Sequence, residues 1–167
     1  MTCKKYRIRT FYIHDYKDVI QLIYDIIVNE FKFKFEVDNL DSDLLDIEKN
    51  YGKSNGGRFW IAEITNGNKS NDNKIIATTA IRRLKQFEST CELKRMYVLK
   101  HYRGLGIGQK MLNKAIDFAK EAGYSRILLD SSKNLKAARR LYLKNGFVDT
   151  QRYNNNYRAD VFMEKIL

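Results

Sequence analysis

The chain has 167 residues, 44% of them apolar and 13% aromatic, with a formal net charge of +11 and an isoelectric point near 9.6. This length suits one domain, 1–167, with a single sizeable core, and the composition excludes disordered and collagen-like chains. Proline is absent, no run approaches the ~18 apolar residues of a membrane span, the start MTCKKYRIRTF has no apolar signal-peptide core, and Cys3 and Cys91 are too few and too far apart for a disulfide framework or a zinc site. The expectation is a soluble, cytoplasmic protein without a metal.

Tyr6 to Ile13 alternates loosely like a first strand. His14 and Asp15 then offer an N-cap to a helix ending near Glu30, with Val19, Ile20, Ile23, Ile26 and Ile27 at helical spacing. Asp41 or Ser42 caps a short second helix carrying Leu44, Leu45 and Ile47, and Gly52, Gly56 and Gly57 break it. Arg58 to Ile64 reads as a strand and Thr65 to Asn73 as a hairpin loop. Lys74 to Leu84 and Cys91 to Val98 follow as two more strands, making an antiparallel meander. A helix from Leu105 to Ala122 points Met111, Leu112, Ala115, Ile116 and Ala119 inward and stops at Gly123. Ile127 to Leu129 is a buried strand and Lys136 to Lys144 a helix closed by Gly146, with last strands near Phe147 to Arg152 and Arg158 to Ile166.

The run YRGLGIG, Tyr102 to Gly108, lies between a strand and a helix. Unpartnered N–H groups and the positive end of the helix dipole make that position a seat for a pyrophosphate. Gly104, Gly106 and Gly108 permit close backbone approach, and Arg103 adds a cation. A nucleoside-triphosphate loop would need Gly-Lys-Ser/Thr where Gln109, Lys110 and Met111 stand, and a dinucleotide fingerprint would need a glycine at Gln109 or Met111. Both fail.

Arg103, Gly106 and Gly108 do spell Arg/Gln-x-x-Gly-x-Gly/Ala, which resembles the acyl-CoA pyrophosphate loop of the GNAT superfamily of N-acyltransferases; a glycine-rich turn serving only helix packing is the plain alternative. Upstream, CELKRMYV from Cys91 looks like the family's strand beside the pantetheine arm. Downstream, LYLKNGF from Leu141 is similar to its Leu-Tyr-x-x-x-Gly-Phe segment. These segments, with LLDSSKNLKAARRLYLKNGF as a whole, most resemble the branch that includes the camello-like N-acetyltransferases. Animal members of that branch carry a membrane segment, which these residues do not supply.

The resemblance implies an α/β (α+β) GNAT-type fold, a central mixed, mostly antiparallel sheet of about seven strands flanked by about four helices. It implies acetyl-CoA as acyl donor, bound by Met96, Tyr97, Val98, Arg103, Gly104, Leu105, Gly106, Ile107, Gly108 and Gln109, with Gln109 either on a pyrophosphate oxygen or merely solvated. Main-chain groups of Met96 and Val98 would meet the thioester oxygen where the strand splays at a bulge. A lysine-like amine is almost fully protonated at pH 7, and freeing its lone pair costs about 4.6 kcal/mol. Glu92 is the candidate base, directly or through a water; the alternative is a strand-edge glutamate paired with Lys94 or Arg95. Tyr142 is the candidate acid for the departing thiolate, or else a core tyrosine bonded to backbone. The asparagine that many members carry seven residues before this tyrosine is here Leu135, with Asn134 one place off. Cys91 should point away from Glu92, so no covalent intermediate is expected.

The reading is direct acetyl transfer to a primary amine, with a catalytically inactive acyl-CoA-binding sensor or scaffold as the alternative. The charge of +11 would steer a polyphosphate ligand, and with only Arg139 and Arg140 clustered on a helix, no nucleic-acid partner is expected. From Phe35 to Glu48 there are six acids and no base, so the rest of the chain carries 31 bases against 14 acids. That segment is either an acidic lip attracting the amine or a solvated helix face. The acceptor would lie among Phe31 to Tyr51 and Gln151 to Tyr157. Unpaired edge strands leave monomer and homodimer both open.

Overall fold

The computed structural model describes residues 5–65 and 74–167. The expected hairpin loop, beyond Thr65, and Cys3 lie outside them. Seven strands form one sheet: β1 (Tyr6–Thr10), β2 (Arg58–Ile64), β3 (Ile75–Arg83), β4 (Thr90–Val98), β5 (Arg126–Ser131), β6 (Val148–Asp149) and β7 (Val161–Ile166). Their spatial order is β1-β2-β3-β4-β5-β7-β6, antiparallel except for β4 beside β5. Four helices flank it: α1 (Tyr16–Tyr24, running on as a π-helical turn, Asp25–Glu30), α2 (Ile47–Tyr51), α3 (Ile107–Glu121) and α4 (Lys136–Lys144).

Strand alternation divides the core in two. Along β2, Phe59 and Ile61 face α1 and α2 with Val19, Leu22, Ile23 and Tyr51. Trp60, Ala62 and Ile64 face the other way, against Ile107, Met111, Leu112, Ala115 and Ala119 of α3. The parallel pair needs a crossover, and α3 supplies it.

Element boundaries move where side chains take over from periodicity. β1 stops at Thr10 because the next residues turn: Asp15 accepts from the Tyr12 N–H at 2.8 Å and from Arg9 at 2.7 Å. α2 is capped by Asp46, which accepts from the Lys49 N–H at 2.9 Å, not by Asp41 or Ser42. Helix α3 begins two residues later than the sequence suggests, since Gly104 and Gly106 both adopt positive φ and Leu105 is exposed. The segment between β6 and β7 is a loop held by Arg152, which donates to the Asn156 and Ala159 carbonyls at 3.1 and 3.0 Å.

Beside β5, strand β4 pairs only over Thr90, Cys91 and Glu92, against Arg126, Ile127 and Leu128. Beyond that point β4 continues to Val98 while β5 stays paired with β7 on its other edge alone, so a wedge opens between the carboxyl halves of β4 and β5.

Candidate active site

The wedge opens into a cleft of about 1340 Å³, walled by Lys94 to Val98 of β4, by Asp130 and Ser131 of β5, by the loop before α3 and by one side of α4. That is ample room for a large cofactor-like ligand.

One wall of the wedge is bulged. Thr78 stands opposite Tyr97 but Ala80 opposite Lys94, so β4 carries one residue more than β3 across this interval. Arg95 takes φ +51 there, and its carbonyl accepts from the Thr78 hydroxyl at 2.7 Å. A bulge leaves ladder groups of the longer strand unpaired and re-aims its side chains, which presents main-chain polar groups of Arg95–Met96 at the wedge.

Past the carboxyl end of β4, where the wedge is open, Lys110 donates the first helical bond of α3, to the Gly106 carbonyl at 3.2 Å, so the N–H groups of Ile107, Gly108 and Gln109 precede the ladder. Gly104 and Gly106 lie at φ +78 and +77, and nothing stands within 4 Å of where a Cβ would be. The loop is therefore a left-handed, open cradle that only glycine forms without strain. Gly108 is different: a Cβ there would rest at 3.6 Å from Leu141, in ordinary contact.

Arg103 and Gln109 border this cradle but hold protein partners. The Arg103 guanidinium donates to Glu30 at 2.5 and 2.8 Å and to the Val98 carbonyl at 2.9 Å, which ties the loop to the end of the π-helical turn. Gln109 exchanges side-chain hydrogen bonds with Asn145 at 2.7 and 3.1 Å, joining the start of α3 to the end of α4. The Ile107 side chain is in the core and Leu105 points to solvent, so these two residues offer the site only main-chain groups.

Tyr142 lies across the cleft from β4. Its hydroxyl is 3.7 Å from Met96 Sδ, a soft acceptor, and makes no backbone hydrogen bond. Burial, and then the neighbouring Tyr97, raise this phenol well above its ordinary range, so it stays protonated at neutral pH. Asn134 and Leu135 both border the same side of the cleft.

Glu92 is only 1% exposed and stands behind the cleft wall. It is neither a surface glutamate nor paired with Arg95. Arg82 donates to it at 2.8 and 2.7 Å, Tyr153 at 2.9 Å and Asn154 at 3.4 Å, with Lys94 at 3.9 Å. Asn154 also donates to Asp130 at 2.6 Å, and Lys94 approaches Asp130 at 3.5 Å. Burial opposes charge on Asp130, but Lys94 and Asn154 more than offset it and hold its carboxyl below the usual range. Asp130 thus brings the network to the cleft. The sequence reading missed it, although a carboxylate closing the apolar run Ile127-Leu128-Leu129 marks the end of a buried strand.

The acidic segment divides: Asp38, Asp46 and Glu48 are exposed, whereas Asp41 and Asp43 turn inward. Asp41 is fully buried and Asp43 8% exposed, and both are neutralised. Arg95 donates to Asp41 at 2.9 Å and to Asp43, Arg158 donates to Asp41 at 3.0 Å, and Tyr51 donates to Asp43. Cys91 packs in the core on the α3 side, away from Glu92, as alternation requires.

The sequence profile of the Acetyltransferase (GNAT) family matches residues 20–147, across the bulged strand, the glycine cradle and α4. The chain belongs to the GNAT family. A GNAT acetyltransferase from Staphylococcus aureus Mu50 superposes with a TM-score of 0.84 at 30% identity, over 97% of this chain and 99% of that one. The PaiA N-acetyltransferase of Thermoplasma acidophilum, solved with coenzyme A, shares the fold at a TM-score of 0.70 and 18% identity, over 98% and 99% of the two chains. Over 108 residues the chain is 35% identical to the probable N-acetyltransferase camello of Xenopus tropicalis, covering 65% of this chain and 46% of that protein. It is 33% identical to human N-acetylaspartate synthetase, covering 65% and 33%. The chain thus spans half or less of the length of these curated relatives. The open cradle and the unladdered N–H groups of this GNAT chain fit the pyrophosphate of an acyl-CoA. Among the described residues there is no cluster of metal-ligating side chains, and no helix is long and apolar enough to cross a membrane.

Proposed function

We propose that the protein is an acetyl-CoA-dependent N-acetyltransferase that moves the acetyl group directly to a primary amine. The observation that carries this reading is the wedge itself, with a phosphate-accepting cradle at one end, a bulged strand along its length and a protonated phenol facing that strand. Acetyl-CoA would lie along β4 with its pyrophosphate on the Ile107–Gln109 N–H groups. The acceptor would enter at the other end of the cleft, among Phe31, Phe33, Asn154 and Asn156, beside Asp130.

The amine nitrogen attacks the thioester carbonyl carbon, the carbon–sulfur bond breaks, and the departing thiolate takes the Tyr142 proton. Main-chain groups at the bulge stabilise the oxyanion formed on the way. The proton lost by the amine goes to Glu92. Because Glu92 stands behind Asp130, Lys94 and Asn154, this transfer runs through a water. The names of two relatives, N-acetylaspartate synthetase and a probable N-acetyltransferase, support an amine acceptor, and amino acids are the first acceptors to try.

The test is release of free CoA thiol from acetyl-CoA in the presence of a panel of amino acids, polyamines and peptides. Amine-dependent release that Tyr142→Phe lowers about a hundredfold without loss of acetyl-CoA binding supports the reading. Acetyl-CoA binding with no turnover on any amine would point instead to a sensor or scaffold.

A further inference from the structure

Eight basic side chains border the cleft, and they divide sharply. Arg82, Lys94, Arg95, Arg103 and Arg158 each meet a carboxylate. Lys136, Arg140 and Lys144 are exposed and make no ion pair or side-chain hydrogen bond with any described residue. These three are spaced i, i+4, i+8 on α4, so they form one row along the helix, spanning about 12 Å. Two bases next to this row are paired: Arg139 with Asp149 at 2.7 Å and Lys133 with Asp160 at 3.6 Å. On α4 itself the free charge is therefore confined to the row that borders the cleft.

The row also lies beside the cradle. Leu141 is the α4 residue nearest Gly108, and Lys144 follows it by one helical turn. Asn145, next in sequence, is bonded to Gln109 in the first turn of α3. A ligand whose pyrophosphate sits on the Ile107–Gln109 N–H groups thus has this row as its neighbour.

The cradle's own cations are committed elsewhere, Arg103 to Glu30 and Lys110 over the Tyr6 ring at 5.1 Å. Main-chain donors and the helix dipole suffice for a pyrophosphate, but a phosphomonoester carries up to two further charges at pH 7 and needs side-chain cations. Acyl-CoA carries such a group on its ribose. Resting on the reading of the protein as an acyl-CoA enzyme, we infer that Lys136, Arg140 and Lys144 seat the 3′-phosphate of the donor, with Arg140 central. The row makes this chain selective for acyl-CoA over donors that end in an unphosphorylated ribose.

Calorimetric titration of the full chain with acetyl-CoA and with acetyl-3′-dephospho-CoA tests this, on wild type, on Arg140→Ala, on the triple variant Lys136→Ala/Arg140→Ala/Lys144→Ala, and on Arg139→Ala as a control on the same helix. Wild type should prefer the phosphorylated donor about tenfold, from charge-assisted hydrogen bonds at an exposed site. The preference should shrink in Arg140→Ala, vanish in the triple variant, persist in Arg139→Ala and weaken as salt rises. Equal affinity of wild type for the two donors overturns the inference and leaves the acyl-CoA reading intact. So does an equal weakening of both donors in the triple variant, which marks the row as general steering charge. Binding of neither donor to wild type overturns both.

Discussion

The Arg95 Nε lies 3.0 Å from Asp43 Oδ2, so the bulged residue of the central strand is anchored to an acidic segment 52 residues earlier in the chain. Asp41 and the Leu40 carbonyl take the other guanidinium donors at 2.9 Å each. A non-glycine residue at φ +51 is uncommon, and this buried clamp holds it there. Removing one partner of a buried ion pair strands a charge and costs about 3 kcal/mol or more. Asp43→Ala should therefore lower the melting temperature markedly and, in protein that remains folded, weaken the rate more than acetyl-CoA binding. Unchanged melting would show that the clamp contributes nothing.

The same clamp makes stability pH-dependent. Burial opposes charge on Asp41 and Asp43, but Arg158 and Arg95 outweigh it, so both carboxyls sit below the ordinary aspartate value of 3.8. The unfolded chain then binds protons before the folded one, and stability rises with pH through this window. It should be fully present above the ordinary carboxylate range and be lost as pH falls through 3.8 toward the folded values. Melting temperatures between pH 7 and pH 3 check this, and Asp41→Asn should flatten the acid limb.

Gly106 and Gly108 should respond in opposite ways to alanine. At φ +77, Gly106→Ala meets backbone strain of about 1–2 kcal/mol and places a methyl in the open cradle. Gly108→Ala adds only an ordinary contact with Leu141. Calorimetry should show acetyl-CoA affinity reduced at least tenfold in Gly106→Ala and nearly unchanged in Gly108→Ala. Equal losses would mean that the cradle does not meet the donor.

Glu92→Gln and Tyr142→Phe separate the two proton transfers. Each should lower kcat by about a hundredfold, with acetyl-CoA affinity within a few-fold of wild type. The Glu92→Gln deficit should narrow as pH approaches the amine's own pKa, because the acceptor then arrives neutral. The Tyr142→Phe deficit should hold across neutral pH, since burial keeps that phenol protonated there. A pH-independent Glu92→Gln deficit would remove Glu92 from the proton path.

Cys91 should be inert. Burial pushes its thiol up to about 12, and it lies fully enclosed between strand and helix. In a Cys3→Ser background, a thiol reagent at pH 8 should label the unfolded protein and spare the native one. Rapid native labelling would reopen a covalent route.

Sequence alone determined the order of strands and helices, the inward face of α3 and the glycine cradle, because each rests on local chemistry: alternation along β2, helical spacing along α3, and glycines at a turn that needs positive φ. It also singled out Tyr142 and Glu92. Only the tertiary structure decided what surrounds them. It placed Arg82, from a neighbouring strand, and Tyr153, from a distant loop, on Glu92, and it brought Asp130 rather than Glu92 to the cleft wall. It turned Asp41 and Asp43 inward as counterions of Arg95 and Arg158, where the sequence offered only a run of acids. Most of those partners stand more than 50 residues apart, and a carboxylate's charge reveals nothing of its position until folding sets which cation it meets and how far water is excluded.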